Sequence, residues 1–226
     1  MLRGHFHRRP ALGFTLIEIL TVIAIVGILA AILVPVAGGV RARAYTARAM
    51  SNLRQLAIAH YTYATENKNT FPPLYNNPGD SSWQSHLEPY VASKNGTSGN
   101  DRYRLRQDPS SIFNVPDSLP RDERPTNAAS IARNFYSGSA EFRPNRVPTP
   151  GRYILLGECE ESNKDRLNTL RASGEPYKSG QAPIGFRREN GTKALMAFCD
   201  TSVRALAREQ LRDDISPANG NPWRWW

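Results

Sequence analysis

The chain has 226 residues, with 29 Lys and Arg against 20 Asp and Glu, a formal net charge of +9. That length suits one anchored domain of ordinary size or two small ones, and the polar composition excludes a multi-spanning membrane protein. The basic surplus permits attraction to nucleic acid or anionic lipid, and it equally describes a solvated basic surface.

Residues 1–13 form a short polar leader carrying Arg3, Arg8 and Arg9. Gly13-Phe14-Thr15-Leu16-Ile17-Glu18 follows, and from Ile19 to Val40 there is no charged residue. Phe14 to Val40 is 27 residues, and a helix needs about 20 to span the hydrocarbon core. Glu18 is therefore a lone carboxylate inside a segment suited to lipid, and a charge at that depth is costly and is usually kept for a partner. A secretory signal places its apolar region before the cleavage site. Here the order is inverted, so cleavage after Gly13 would leave the apolar segment on the mature chain. Arg41, Arg43 and Arg48 follow the segment, and the flanking positive charges nearly balance, so they do not settle orientation.

The Gly13–Glu18 stretch resembles the prepilin peptidase motif of type IV pilins and type II secretion pseudopilins. The resemblance implies cleavage between Gly13 and Phe14 by a membrane aspartic peptidase, then N-methylation of Phe14. It implies that the leader stays cytoplasmic, with the remaining domain periplasmic or, in a filament, extracellular. Glu18 falls at the fifth mature position, where the family keeps a carboxylate. Cleavage creates an amine at Phe14 inside an apolar bundle, and a neighbour's carboxylate offsets the cost of burying it. Glu18 then acts as the assembly charge. The implied partners are prepilin peptidase, an inner-membrane assembly platform, membrane lipid before assembly, and other pseudopilins in a homo- or hetero-polymer. Pro35 removes a backbone donor and should kink or loosen the helix. Gly27 weakens it further, as does the Gly38-Gly39 pair. In the family, the stretch between a glycine and a proline at the positions of Gly27 and Pro35 can melt in the filament; a static kink is the alternative.

From Arg41 to about Asn67 the pattern stays helical. Ala49, Met50, Leu53, Leu56, Ala57, His60, Tyr61 and Ala64 recur at three- and four-residue spacing. We read one helix from about Thr15 to Glu66, apolar all round in its first half and amphipathic in its second, which should carry a globular domain on one face. His60 lies on that face as a core or rim histidine.

Residues 67–150 hold 11 of the 17 prolines, which predicts a long irregular middle region. Ser82–Val91 has the spacing of a short helix with Trp83, Leu87 and Tyr90 on one face, and Ser130–Ser137 reads as a strand or an extended segment. No phosphate loop, internal repeat or Ser/His/Asp arrangement is recognisable.

In the C-terminal third, Arg152–Cys159, Ala194–Cys199 and Ser202–Leu206 read as strands, with Asp200-Thr201 as the turn between the last two. The expected fold is α+β and pilin-like: one long N-terminal helix packed on a small antiparallel sheet. Its parts are a leader at 1–13, an apolar half-helix at 14–40, an amphipathic half at 41–66 and a globular domain at 67–226. Cys159 and Cys199 either form one disulfide in an exported domain or are two small buried side chains. No structural zinc spacing surrounds them.

Leu53-Arg54-Gln55-Leu56, the Tyr63–Asn67 stretch and the Asp200 hairpin resemble the G-like domains of type II secretion pseudopilins found in Planctomycetes and Verrucomicrobia. That hairpin commonly reads Phe-Ala-Asp-Gly-His, preceded by Arg-His. This chain has Phe198-Cys199-Asp200-Thr201-Ser202 and Arg187-Arg188, so no role of that histidine transfers. Major pseudopilins also bind calcium near the sheet, and Glu158 and Asp200, with Glu160 and Glu161, are the candidate ligands; a solvated acidic edge is the other reading of these carboxylates. No other cofactor is expected. The end of the chain, Pro222-Trp-Arg-Trp-Trp226, either packs on the domain or offers an aromatic surface.

The functional reading is a non-enzymatic structural subunit of a type II secretion pseudopilus or type IV pilus-like filament. The alternatives are a DNA-uptake or adhesive minor pilin and a tethered periplasmic binding domain. The arginines are scattered rather than clustered with aromatics, which disfavours nucleic acid as a partner.

Overall fold

Helix α1 takes up Leu16–Glu66, one residue short of the expected start. The computed structural model describes residues 15–73, 83–91, 111–117, 130–134, 142–160, 169–170, 181–182 and 184–211, without the side chains of 35–36, 169–170 and 181–182. The chain divides into two compact units, 1–44 and 45–226.

In the first unit the described residues are the N-terminal part of α1. Its apolar side chains are exposed, with Leu16 at 84% and Leu33 at 66%. The helix is unbroken across Pro35. A Cβ added at Gly27, Gly38 or Gly39 would meet nothing within 4 Å, so no packing among the described residues requires these glycines.

In the second unit the chain leaves α1 through Lys68 and Asn69, whose φ values of 52° and 56° lie in the left-handed region. Asn69 N–H donates back to Ala64 O at 2.9 Å, and the Asn67 amide donates to Tyr63 O at 2.8 Å, so the last carbonyls are satisfied. The strands are β1 (Ile131–Asn134), β2 (Ile154–Glu158), β3 (Thr169–Leu170), β4 (Gln181–Ala182), β5 (Lys193–Phe198) and β6 (Val203–Ala207). They form one sheet in the order β4-β3-β1-β2-β5-β6. β1, β2, β5 and β6 pair antiparallel, while the two-residue β3 and β4 join parallel at the edge of β1. The expected helix-on-sheet α+β fold is thus the observed one. The difference is in strand number: the sequence predicts three strands and, at 130–137, a strand or extended segment, in which β1 takes 131–134. A strand of two residues carries no periodic signal, which is why β3 and β4 were not read.

Strand β5 shows how the sheet is packed. Leu195, Ala197 and Cys199 join the core containing Ala49, Leu53, Leu56 and Ala57 of α1. Ala194, Met196 and Phe198 join a second core with Ile184 and Leu211 on the opposite face. This is the two-residue alternation of a strand buried on both sides. β2 breaks the alternation, because a register shift between Ile154 and Leu156 puts Leu155 and Leu156 together on the α1 side. Trp83 and Leu87, in helix α2 (Trp83–Leu87), close the α1-side core, and Glu88–Tyr90 continues as a 3₁₀ turn. Tyr90 donates to Glu66 Oε2 at 2.5 Å.

The alternation also decides between the two readings of the cysteines, in favour of two buried side chains. Cys159 belongs to the second core and Cys199 to the α1-side core, and both thiols are free and buried. Side chains on opposite faces of a sheet cannot meet the short Cβ separation of a bridge. Burial pushes the Cys199 thiol up to about 12, which keeps it protonated and unreactive. Residues 135–137 of the expected extended segment, and the tryptophan-rich end at 223–226, lie outside the described residues.

His60 is a core residue. It is fully buried, its ring 5.5 Å edge-on to Phe71 and 5.4 Å from Trp83. Nδ1 lies 2.7 Å from Leu56 O, and Nε2 has no hydrogen-bond partner among the described residues. Burial first, and the Arg133 charge second, hold its pKa well below 6.5. The folded chain therefore keeps His60 neutral at a pH where the unfolded chain protonates it. Stability from this residue is present above about pH 6.5 and falls as the pH drops below it, by up to about 1.4 kcal/mol per unit. Thermal melts of the full chain in detergent, compared between pH 7.5 and 5.5, should show this loss, and His60→Leu should shrink the pH dependence. An unchanged pH dependence in that variant would remove the assignment.

Candidate functional site

The N-terminal turn of α1 is built by Thr15 and Glu18. Thr15 N–H and Thr15 Oγ1–H both donate to Glu18 Oε2 at 2.8 Å, and Glu18 N–H donates to Thr15 Oγ1 at 3.3 Å. This reciprocal pattern is a capping box, in which a threonine and a glutamate three residues on satisfy each other's orphan amides. The Thr-x-x-Glu spacing at Thr15 and Glu18 is the sequence signal for this box. The box gives Glu18 partners within its own chain and holds the carboxylate at the first helical turn. Thr21 Oγ1–H donates to Glu18 O at 2.9 Å, so the next turn is tied to the same residue. Gly13 and Phe14 lie outside the described residues.

Within this arrangement the carboxylate starts a helix that is long and apolar enough to cross a membrane. Its chemistry is that of an acceptor at a helix start, where the helix dipole also favours a negative charge. A family model described as the prokaryotic N-terminal methylation motif matches residues 8–34. The chain carries a prepilin-type N-terminus. The motif indicates an N-terminus of the kind that prepilin peptidase processes, and the match covers 27 of the 226 residues. The matched residues include the Gly13–Glu18 stretch, Gly27 and most of the apolar run, and end one residue before Pro35. No curated protein and no solved structure matches the chain.

The second unit places the remaining candidates. Glu158 is not on a solvated acidic edge; it is fully buried at the end of β2. Arg188 Nε donates to Glu158 Oε1 at 2.9 Å, Arg188 Nη2 donates to the same oxygen, and Leu195 N–H donates to Glu158 Oε2 at 2.8 Å. The other side of the same guanidinium meets Asp117 in a two-point contact, at 3.0 and 2.9 Å. Arg188 Nη1 also reaches Thr46 Oγ1 of α1 at 3.5 Å. Burial raises the Glu158 pKa, and the Arg188 hydrogen bonds and charge oppose that rise. Glu158 is therefore an ion-pair partner, with both oxygens engaged.

Arg188 reaches this position because the chain reverses just after it. Glu189, Asn190 and Gly191 all have positive φ, and Arg188 N–H donates to Lys193 O at 2.9 Å. The acidic arm is fixed from the other side. Asn52 of α1 donates to Asn114 O at 3.0 Å, and Ser130 donates twice to Asn114 Oδ1 at 3.2 Å, which pins the segment 111–117.

Asp200 is used locally. Its Oδ1 accepts from Ser202 N–H at 2.9 Å and Ser202 Oγ–H at 2.6 Å, closing the turn between β5 and β6. Thr201 in that turn has a φ of 66°, a conformation that suits glycine. That is the position where the resembled hairpins carry Gly. Among the described residues, no group of three or more His, Cys, Asp or Glu that could hold a metal brings Glu158 and Asp200 together. Glu160 is exposed, and Glu161 lies outside the described residues.

Proposed function

We propose that this protein is a filament subunit of pseudopilin type, working in a type II secretion pseudopilus or a related type IV pilus-like fibre. The observation that carries the reading is the methylation motif at 8–34, opening on the Thr15–Glu18 box and running into an apolar helix. Prepilin peptidase cuts between Gly13 and Phe14 and the new Phe14 amine is methylated. The leader 1–13 lies in the cytoplasm, 14–40 sits in the inner membrane, and 41–66 with 67–226 forms the periplasmic part. An assembly platform then extracts the subunit. In the fibre, Glu18 meets a neighbour's Phe14 amine, and Gly27 and Pro35 are the weak points of the helix. The domain needs no cofactor for this role; any calcium site would have to be built from residues other than the engaged Glu158.

The net charge gives the nucleic-acid alternative little support. Arg133 and Arg188 are both buried and serve the fold, Arg133 by donating to Pro72 O and Arg188 by holding Glu158 and Asp117.

Gly13→Leu, expressed beside a prepilin peptidase, should abolish leader removal and leave a band heavier by the 13-residue leader. Complete processing of that variant would overturn the cleavage assignment. A secretin or a retraction ATPase encoded nearby separates the pseudopilus from the pilus.

A further inference from the structure

Arg41 and Arg43 stand at the end of the apolar run, both exposed, within the first compact unit. Neither makes an ion pair or side-chain hydrogen bond with a described residue. Between Ile19 and Thr65 the helix carries no carboxylate that could neutralise them. Two residues apart on a helix, they point about 200° from each other around the axis but differ by only about 3 Å along it. A protein partner approaches a helix from one side and would meet one of the two. A lipid headgroup layer surrounds the helix at one height and meets both.

We infer that Arg41 and Arg43 bind the phosphates of anionic phospholipids and so set the depth of the span. This rests on the membrane-subunit reading above. Guanidinium groups take phosphate oxygens two at a time, which suits arginine better than lysine to this task. The length fits. Leu16 to Arg41 is 25 residue steps along α1, a rise of about 38 Å, against about 30 Å of hydrocarbon and about 40–45 Å with headgroups. With Arg41 held at one phosphate layer, the Gly13–Phe14 bond falls at the opposite face, where a membrane peptidase can reach it. Positive residues on the translocated side of a span run against the usual bias, and the headgroup role accounts for their retention there.

The test uses the full-length chain in detergent micelles doped with equal phosphatidylglycerol and phosphatidylethanolamine of matched acyl chains. Native mass spectrometry counts the bound lipids. Each arginine near an anionic surface favours binding by roughly fivefold, so phosphatidylglycerol adducts should dominate by at least that factor. Arg41→Gln with Arg43→Gln should lower that preference by at least about fivefold, leaving what Arg3, Arg8, Arg9 and Arg48 contribute, while Arg54→Gln should leave the preference intact. Parity in the unmutated chain, or a preference left unchanged by the double glutamine change, overturns the inference. Carbonate washing of the source membranes separates this from the parent reading. A chain that washes off sinks both, whereas one that stays and shows parity sinks only the lipid proposal.

Discussion

Replacing Arg188 by alanine should destabilise the second unit by about 3–5 kcal/mol, because it leaves the Glu158 carboxylate buried without its counter-charge. Glu158 is 0% exposed and Arg188 5%. The Leu195 N–H alone then faces a group whose burial already raises its pKa. Asp117 is 25% exposed and can turn to water, so most of the loss belongs to Glu158. For a chain of this size, that corresponds to a fall in melting temperature of roughly 10 °C. Melting of the full chain in detergent, followed by near-ultraviolet circular dichroism, measures it. A second variant isolates the cause. Arg188→Met with Glu158→Leu removes both charges and should be less harmful than Arg188→Ala alone, since well-packed apolar replacements of buried pairs are often near neutral. If the double change is the worse of the two, the penalty is one of lost packing and the ion-pair account fails.

The second large effect concerns Glu18, where glutamine is more informative than alanine. The capping box accepts either Glu or Gln at this position, so Glu18→Gln keeps the Thr15 hydrogen bonds and removes only the charge. If assembly depends on pairing with a neighbour's amine, Glu18→Gln should abolish filaments as fully as Glu18→Val, with membrane insertion intact in both. Thr15→Val is the complementary change. It keeps the carboxylate and costs about 1 kcal/mol of capping, so filaments should form in reduced yield. Sheared-fibre fractions and carbonate-resistant membrane fractions read the two outcomes. Normal fibre yield from Glu18→Gln would leave Glu18 a capping residue and nothing more.

These experiments probe parts of the chain that differed in legibility. The helix was readable almost to the residue, from Thr15–Glu66 to Leu16–Glu66. Both its signals are local: an uncharged run, then apolar residues at helical spacing. The main strands were readable for the same reason, as short apolar runs bounded by turn residues. The N-terminal motif needs no tertiary structure, because its pattern at 8–34 is contiguous in the sequence.

Tertiary structure decided what required two distant segments to meet. Glu158 looked like a surface carboxylate because nothing near it in sequence announces Arg188, 30 residues away, or Asp117 on a pinned loop. Cys159 and Cys199 looked like a possible pair because sequence does not say which face of a sheet a residue takes. The register of β2, β5 and the edge strands does, and it assigns them to separate cores. His60 was placed on the apolar face by its spacing, but its full burial depends on Phe71 and Trp83 folding over it. Sequence alone thus determined the N-terminal motif and the helix, whose patterns are periodic or contiguous. The buried charges, the thiols and the edge strands were decided only by the fold, because their partners are set by long-range register and chain reversal.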